Sequence, residues 1–301
     1  MNPVWALPLV IAMQTRSASV SPRPIAWAAQ SPRPAACLAA PGLWEVSRQA
    51  LVERHCRELS RAQALLLRAP EQALARASAL LAEAPTLLEA RVLRGRASLR
   101  TGHSEQALAD LLPLIAEGAA PVADPAALLD GGRAALGRSD LTNAARFYRQ
   151  LGSRAALLPD RAQQVIAYVE IAAVLLATES APMDDVLAYL REARRRSAGS
   201  GYTALVVGLT AATWIAHGRE AEGQGALAEL ADPWALAGFE NRKEVWLPQG
   251  VILAVLALAL ERVKGDLSAG YYRTLASTPL AGKALGKIGS RRREAGKRGA
   301  K

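Results

Sequence analysis

The chain has 301 residues, 51% hydrophobic and only 5% aromatic, with a formal net charge of +10. That length buries a large core as one long domain or two shorter ones, and the dominance of Ala, Leu and Arg over β-branched and aromatic residues excludes a chain built on sheets. The charge is local: Lys283 to Lys301 holds eight basic residues against the single acid Glu294, a net +7 that leaves +3 for the remainder. The body is therefore not a basic nucleic-acid-binding domain, and the Gly/Lys/Arg tail has little to bury and reads as disordered.

In chain order, Val4 to Met13 is a short apolar run, followed by Ala26-Trp27-Ala28, a small-residue pattern like a secretory cleavage site. No Lys or Arg precedes the run, and Arg16 and Arg23 follow it, as in a plain leader. The expectation is export to the periplasm or cell envelope, with a cytoplasmic location as the alternative. Residues 1–30 are read as a signal peptide or disordered leader, 31–281 as the folded body and 282–301 as the basic tail.

Cys37 and Cys56 are the two cysteines. A disulfide between them would tie the N-terminal segment to the first helix and contribute on the order of 3 kcal/mol, in keeping with an oxidising compartment. They form no CxxC pair that would suit a metal.

An internal repeat follows. Glu71-Gln72-Ala73-Leu74-Ala75 recurs as Glu105-Gln106-Ala107-Leu108-Ala109, 34 residues later. Gly95 and Ala107 recur 37 residues on as Gly132 and Ala144, with Tyr148 in the place of Leu111. Small residues at these positions let helices approach closely, so Gly95, Ala107, Gly132 and Ala144 are expected to be packing positions. Beyond them, Arg161 to Thr178 reads as an apolar helix. A second helix opens at Pro182 and ends in Arg194-Arg195-Arg196, where basic side chains suit the last turn. A further pair is expected at Tyr202 to His217 and Glu220 to Leu230, around Gly218, and another at Gly250 to Lys264 and Leu267 to Ser277. Asp232 to Pro248, with Trp234, Phe239 and Trp246, reads as an insertion. The apolar stretch Gly250 to Leu260 is about half the ~20 residues needed to span a bilayer.

Over roughly residues 51–281 this pattern resembles the tetratricopeptide repeat family. The family's large aromatic at the start of the first helix is missing in the early units, and Arg94 stands where it prefers leucine. The resemblance implies an all-α fold, an α-solenoid of five to six stacked helical hairpins in a right-handed superhelix. One hairpin cannot hide its apolar face alone, and stacking produces a continuous core and a concave surface.

No HExxH, GxxxxGK[ST] or GxSxG motif occurs. His103 and His217 fall in turns beside Gly102 and Gly218, and Asp184-Asp185 falls near a helix start. No catalytic residue, cofactor, metal or small-molecule substrate is inferred. The expected function is a non-catalytic scaffold that binds a protein or peptide in its concave groove. The alternative is an adaptor whose basic tail meets acidic lipid, nucleic acid or acidic protein. In the family-like register, Arg96 and Arg133 occupy one equivalent groove position and Arg100 lies one turn beyond Arg96. These three arginines are the expected partner-binding residues, suited to an acidic segment or a free C-terminus.

Overall fold

The computed structural model describes residues 46–116, 124–230 and 245–248, together with Val251 and Val255. Among the described residues ten α-helices follow one another: α1 (Val46–Leu65), α2 (Pro70–Glu83), α3 (Leu88–Arg100), α4 (Ser104–Leu111), α5 (Pro125–Gly137), α6 (Leu141–Gly152), α7 (Arg161–Ala177), α8 (Met183–Ser197), α9 (Thr203–Ala216) and α10 (Glu220–Ala228). Each packs on the next, as consecutive hairpins, and α1–α3, α3–α5 and α7–α9 also touch. The fold is all-α, a stack of helical hairpins in which each unit meets its neighbours.

The helix starts follow from local chemistry. Asp124, Asp140 and Asp160 cap α5, α6 and α7, each carboxylate accepting a backbone N–H of the first turn. Pro70 and Pro125 stand at the first helical position, where a missing N–H is harmless. In α8 the acids Asp184 and Asp185 occupy the first turn and Arg194 to Arg196 the last, both complementing the helix dipole. Pro182 caps α8 from outside, one residue before its first turn.

The hairpin turns reveal the register. Gly102, Ser139, Glu179 and Gly218 all have positive φ and lie 37, 40 and 39 residues apart. At each, the following residue donates its N–H across the turn: His103 to Ser98, Asp140 to Ala135, Ser180 to Leu175 and Arg219 to Trp214. The left-handed residue itself donates to Leu99, Leu136, Leu176 or Ile215. This is the Schellman closure, which satisfies the carbonyls a helix end leaves open. Five residues past the left-handed position stands a small residue in three units, namely Ala107, Ala144 and Gly223. The repeat thus extends through α9 and α10. The α1–α2 turn differs, with Ala69 donating to Leu65 and no left-handed residue.

Close approach inside each hairpin needs those small residues. A Cβ on Gly95 would lie 2.9 Å from Cγ of Leu111, and one on Gly132 would lie 2.7 Å from Cζ of Tyr148. Ala107 and Ala144 are fully buried opposite them. The Gly95–Leu111 and Gly132–Tyr148 contacts are equivalent in the two units. The main core runs from Leu111 through Phe147, Ile171 and Leu190 to Leu227. A second, alanine-rich cluster joins α1, α2 and α3 through Leu59, Ala62, Ala73, Ala77, Leu80 and Ala97.

The Cys37–Cys56 disulfide expected from the sequence does not stand as a bond of the described structure. No disulfide is found among the described residues, because Cys37 lies outside them; Cys56 is half-buried on α1, and no described cysteine is free. The leader, the basic tail and most of the helix pair expected over residues 250–277 also lie outside the described residues. Val251 and Val255 are helical and buried. Among the described residues no helix is long and apolar enough to cross a membrane.

Two glycine substitutions test the packing from opposite sides. Gly132→Ala should destabilise by about 1–3 kcal/mol, the scale of overpacking a filled core, because the Tyr148 ring it meets is held by a hydrogen bond to Glu170. Gly225, inside α10 with open space around its Cβ position, should be stabilised by about 0.5–1 kcal/mol on conversion to Ala. Urea denaturation of the two variants reads both signs.

Candidate functional site

The charged residues of the first helices point into the stack. Arg96 on α3 is 8% exposed and donates through Nε to Asp130 of α5 at 2.8 Å, and through Nη1 to Asp124 at 2.7 Å. Arg100, one turn further on, donates to the same Asp130 oxygen at 3.0 Å and to the Arg96 carbonyl. Arg133 on α5 grips Glu170 of α7 with two bonds, 3.0 Å from Nε and 2.8 Å from Nη2. By the turn register, Arg96 and Arg133 are equivalent, and so are Asp130 and Glu170. The two bonds are successive rungs of one ladder, each running from an arginine to an acid in the next unit. Arg94 has its own partner within the hairpin: a bidentate pair to Asp110 of α4 at 2.6 and 2.7 Å.

The three arginines expected to receive an acidic partner are therefore held by carboxylates of the chain itself. Only Arg100 and the Asp124 end of the Arg96 pair keep appreciable exposure. Sequence reasoning placed the arginines in equivalent positions and missed the acids that answer them. The available signal was a lone Glu170 inside the apolar run Val165–Leu176, where a buried charge demands a counter-charge.

Electrostatics agree with the geometry. Burial alone would raise the Asp130 carboxyl, but the guanidinium groups of Arg100, Arg96 and Arg133 outweigh it and hold the group below its usual range. Burial opposes the charge on Arg133, and Glu170 more than compensates, so its pKa is raised. The Tyr148 hydroxyl is pushed well up, first by burial and then by the Glu170 carboxylate it donates to.

Glu170 is completely buried and its carboxylate accepts four bonds. Two come from Arg133, one from the Tyr148 hydroxyl at 2.9 Å, and the fourth from the backbone N–H of Trp246 at 2.8 Å. Four donors fill the lone-pair sites of a carboxylate. Trp246 belongs to Val245–Pro248, a segment without helix that lies against the first-helix face. Val245 is buried in the main core and Leu247 packs on it. Trp246 packs on the small cluster of Leu99, Ala107 and Ala134, and Cζ3 of its ring lies 3.6 Å from where a Cβ on Gly137 would stand. The segment thus bridges α3, α5 and α7.

A separate cavity of about 290 Å³ opens between α8, α9 and α10, lined by Leu187, Leu190, Arg194, Val207, Thr210 and Trp214 among others. Its rim carries the Arg194–Glu229 ion pair. His103 and His217 occupy turns, bonded to Thr101 and to the Thr213 carbonyl. Among the described residues no group of three His, Cys, Asp or Glu side chains stands close enough to hold a metal.

No protein-family model matches this chain, and no curated protein or solved structure matches it.

Two measurements test the ladder. Arg133→Ala leaves the Glu170 charge buried without its partner and should cost about 3–5 kcal/mol, whereas Arg133→Met with Glu170→Met removes both charges and should cost less, about the 1–3 kcal/mol of leaving a buried donor such as the Tyr148 hydroxyl unpaired. A thermal double-mutant cycle separates them. Asp130 titrates lower in the folded state than in the unfolded chain, so its contribution is full above about pH 5 and fades as pH falls through the folded pKa. Asp130→Asn should lower Tm at neutral pH and flatten its decline on acidification. An unchanged acid slope would mean that Asp130 carries no linkage.

Proposed function

We propose that this chain is a non-catalytic, tetratricopeptide-like scaffold that binds a peptide or partner protein along the face of its first helices. The observation that carries the reading is the docked Val245–Pro248 segment: the face formed by α3, α5 and α7 takes a non-helical segment of the chain through both side-chain packing and a main-chain hydrogen bond. Hairpins stacked neighbour on neighbour leave long continuous surfaces of this kind. The buried Asp130 and Arg133 sit in ion pairs, and the neutral Tyr148 hydroxyl hydrogen-bonds to Glu170, a structural use of these groups. Because the three arginines are engaged internally, the reading favours a partner recognised by shape and backbone bonding over one recognised as an acid.

A second reading rests on the +7 charge of residues 283–301, which suits an anionic surface. Affinity capture with the full chain and with a chain lacking residues 282–301 separates the two. A partner kept after tail deletion, with affinity little changed between low and high salt, supports the scaffold. A partner lost on deletion, with binding that falls steeply with salt, supports the tail, since each neutralised phosphate releases a counterion.

A further inference from the structure

Val245–Pro248 behaves differently from the rest of the described chain. Residues 46–116 and 124–230 are helices and their short connections, whereas this segment has no helix. The side-chain bonds from Arg96 and Arg133 to the next unit join residues 34 and 37 apart, but Trp246 meets Glu170 from 76 residues away. Its N–H is received by a side-chain carboxylate that three helical donor bonds already hold in place. Trp246, Leu247 and Pro248 remain part-exposed, whereas Val245 is buried in the main core and anchors the segment. The receiving face is built without them: Leu99 on α3, Ala134 and Gly137 on α5, and Glu170 on α7 come from the repeat framework.

These are the properties of a bound peptide. An extended strand gains affinity from main-chain bonds and specificity from a side-chain seat, and a large, stiff indole is an effective anchor. We propose that the α3–α5–α7 face is a receptor for an extended apolar segment of a partner protein bearing a tryptophan, and that Val245–Pro248 is the chain's own segment occupying that receptor in competition. The proposal rests on the scaffold reading above and names its ligand. The tryptophan seat is small-walled, formed by Ala107, Ala134 and Gly137 around Leu99, so a bulky flat ring fits it. Glu170 supplies a fixed acceptor for the N–H of that same residue. A proline in place of the tryptophan would have no N–H to offer.

The test uses the full chain and a fluorescein-labelled peptide spanning residues 243–250, with fluorescence anisotropy as the readout. An occupied site reduces apparent affinity by the fraction of molecules in which it is open. Trp246→Ala in the full chain should therefore bind the peptide saturably, at least about tenfold more tightly than the wild-type chain does. A peptide with Trp246→Ala should bind neither protein. Equal binding to both proteins, or none to a folded Trp246→Ala chain, overturns the proposal. If Trp246→Ala does not fold, judged by its helical circular dichroism, Trp246→Phe takes its place. If both variants are unfolded, the segment is part of the core and the proposal fails. Wild-type chain that dimerises through this segment on sedimentation also overturns it, in favour of exchange between copies. A natural partner held equally by wild-type and Trp246→Ala chains removes this site and leaves the scaffold reading standing. Peptide binding without any protein partner does the reverse.

Discussion

The carboxylate of Glu170 is the constraint on which the middle of the structure depends. A buried, ionised carboxylate costs several kcal/mol unless its surroundings replace the water it has lost. Here the replacement comes from three places: Arg133 on α5, Tyr148 on α6 and the backbone of Trp246. The helix carrying Glu170, the preceding hairpin and a distant segment must therefore all arrive together. Apolar packing tolerates small shifts between helices, whereas four directed bonds to two oxygens do not. The pair also explains why Gly132 must lack a side chain: the ring of Tyr148 lies over it and is pinned at its far end by the same carboxylate.

Around this point the stack changes character along its length. Between α3 and α7 the first helices are joined by charge, through Arg96 with Asp130 and Arg133 with Glu170. One unit further on, the positions equivalent to Arg133 and Glu170 are Ala173 on α7 and Leu209 on α9, both buried and apolar. The α1–α3 region is held by small alanine-rich contacts. The non-helical segment Val245–Pro248 docks where the ionic section ends, beside the last acid of the ladder.

Much of the fold was legible in the sequence. Helix-favouring composition, the recurrence of Gly95 and Ala107 as Gly132 and Ala144, and the glycine at 218 identify hairpins whose bounds fall within a few residues of those observed. The small-residue pattern is not legible in the α7–α8 unit for a local reason. The fourth unit closes with Glu179 in the left-handed conformation where glycine is the usual signal, and its second helix starts late, after Pro182. The site was much less legible. Arg94 departs from the repeat pattern because it answers Asp110, and the acids that meet Arg96 and Arg133 lie 34 and 37 residues away. Such distances mean contact only once the stacking is known. Nothing in a segment such as Val245-Trp246-Leu247-Pro248 marks which face it will cover.

The ladder also has a direction. The α3 unit offers only an arginine to its successor, the α7 unit only an acid to its predecessor, and the α5 unit carries both, Asp130 facing back and Arg133 facing forward. Such a unit works like a link with one plug and one socket. Were the α5–α6 unit lost, Arg96 would come to face Glu170, its charge complement. Were that unit duplicated, each new joint would again bring an arginine to an acid. In charge alone, the array can thus change length at this position without stranding an arginine or an acid.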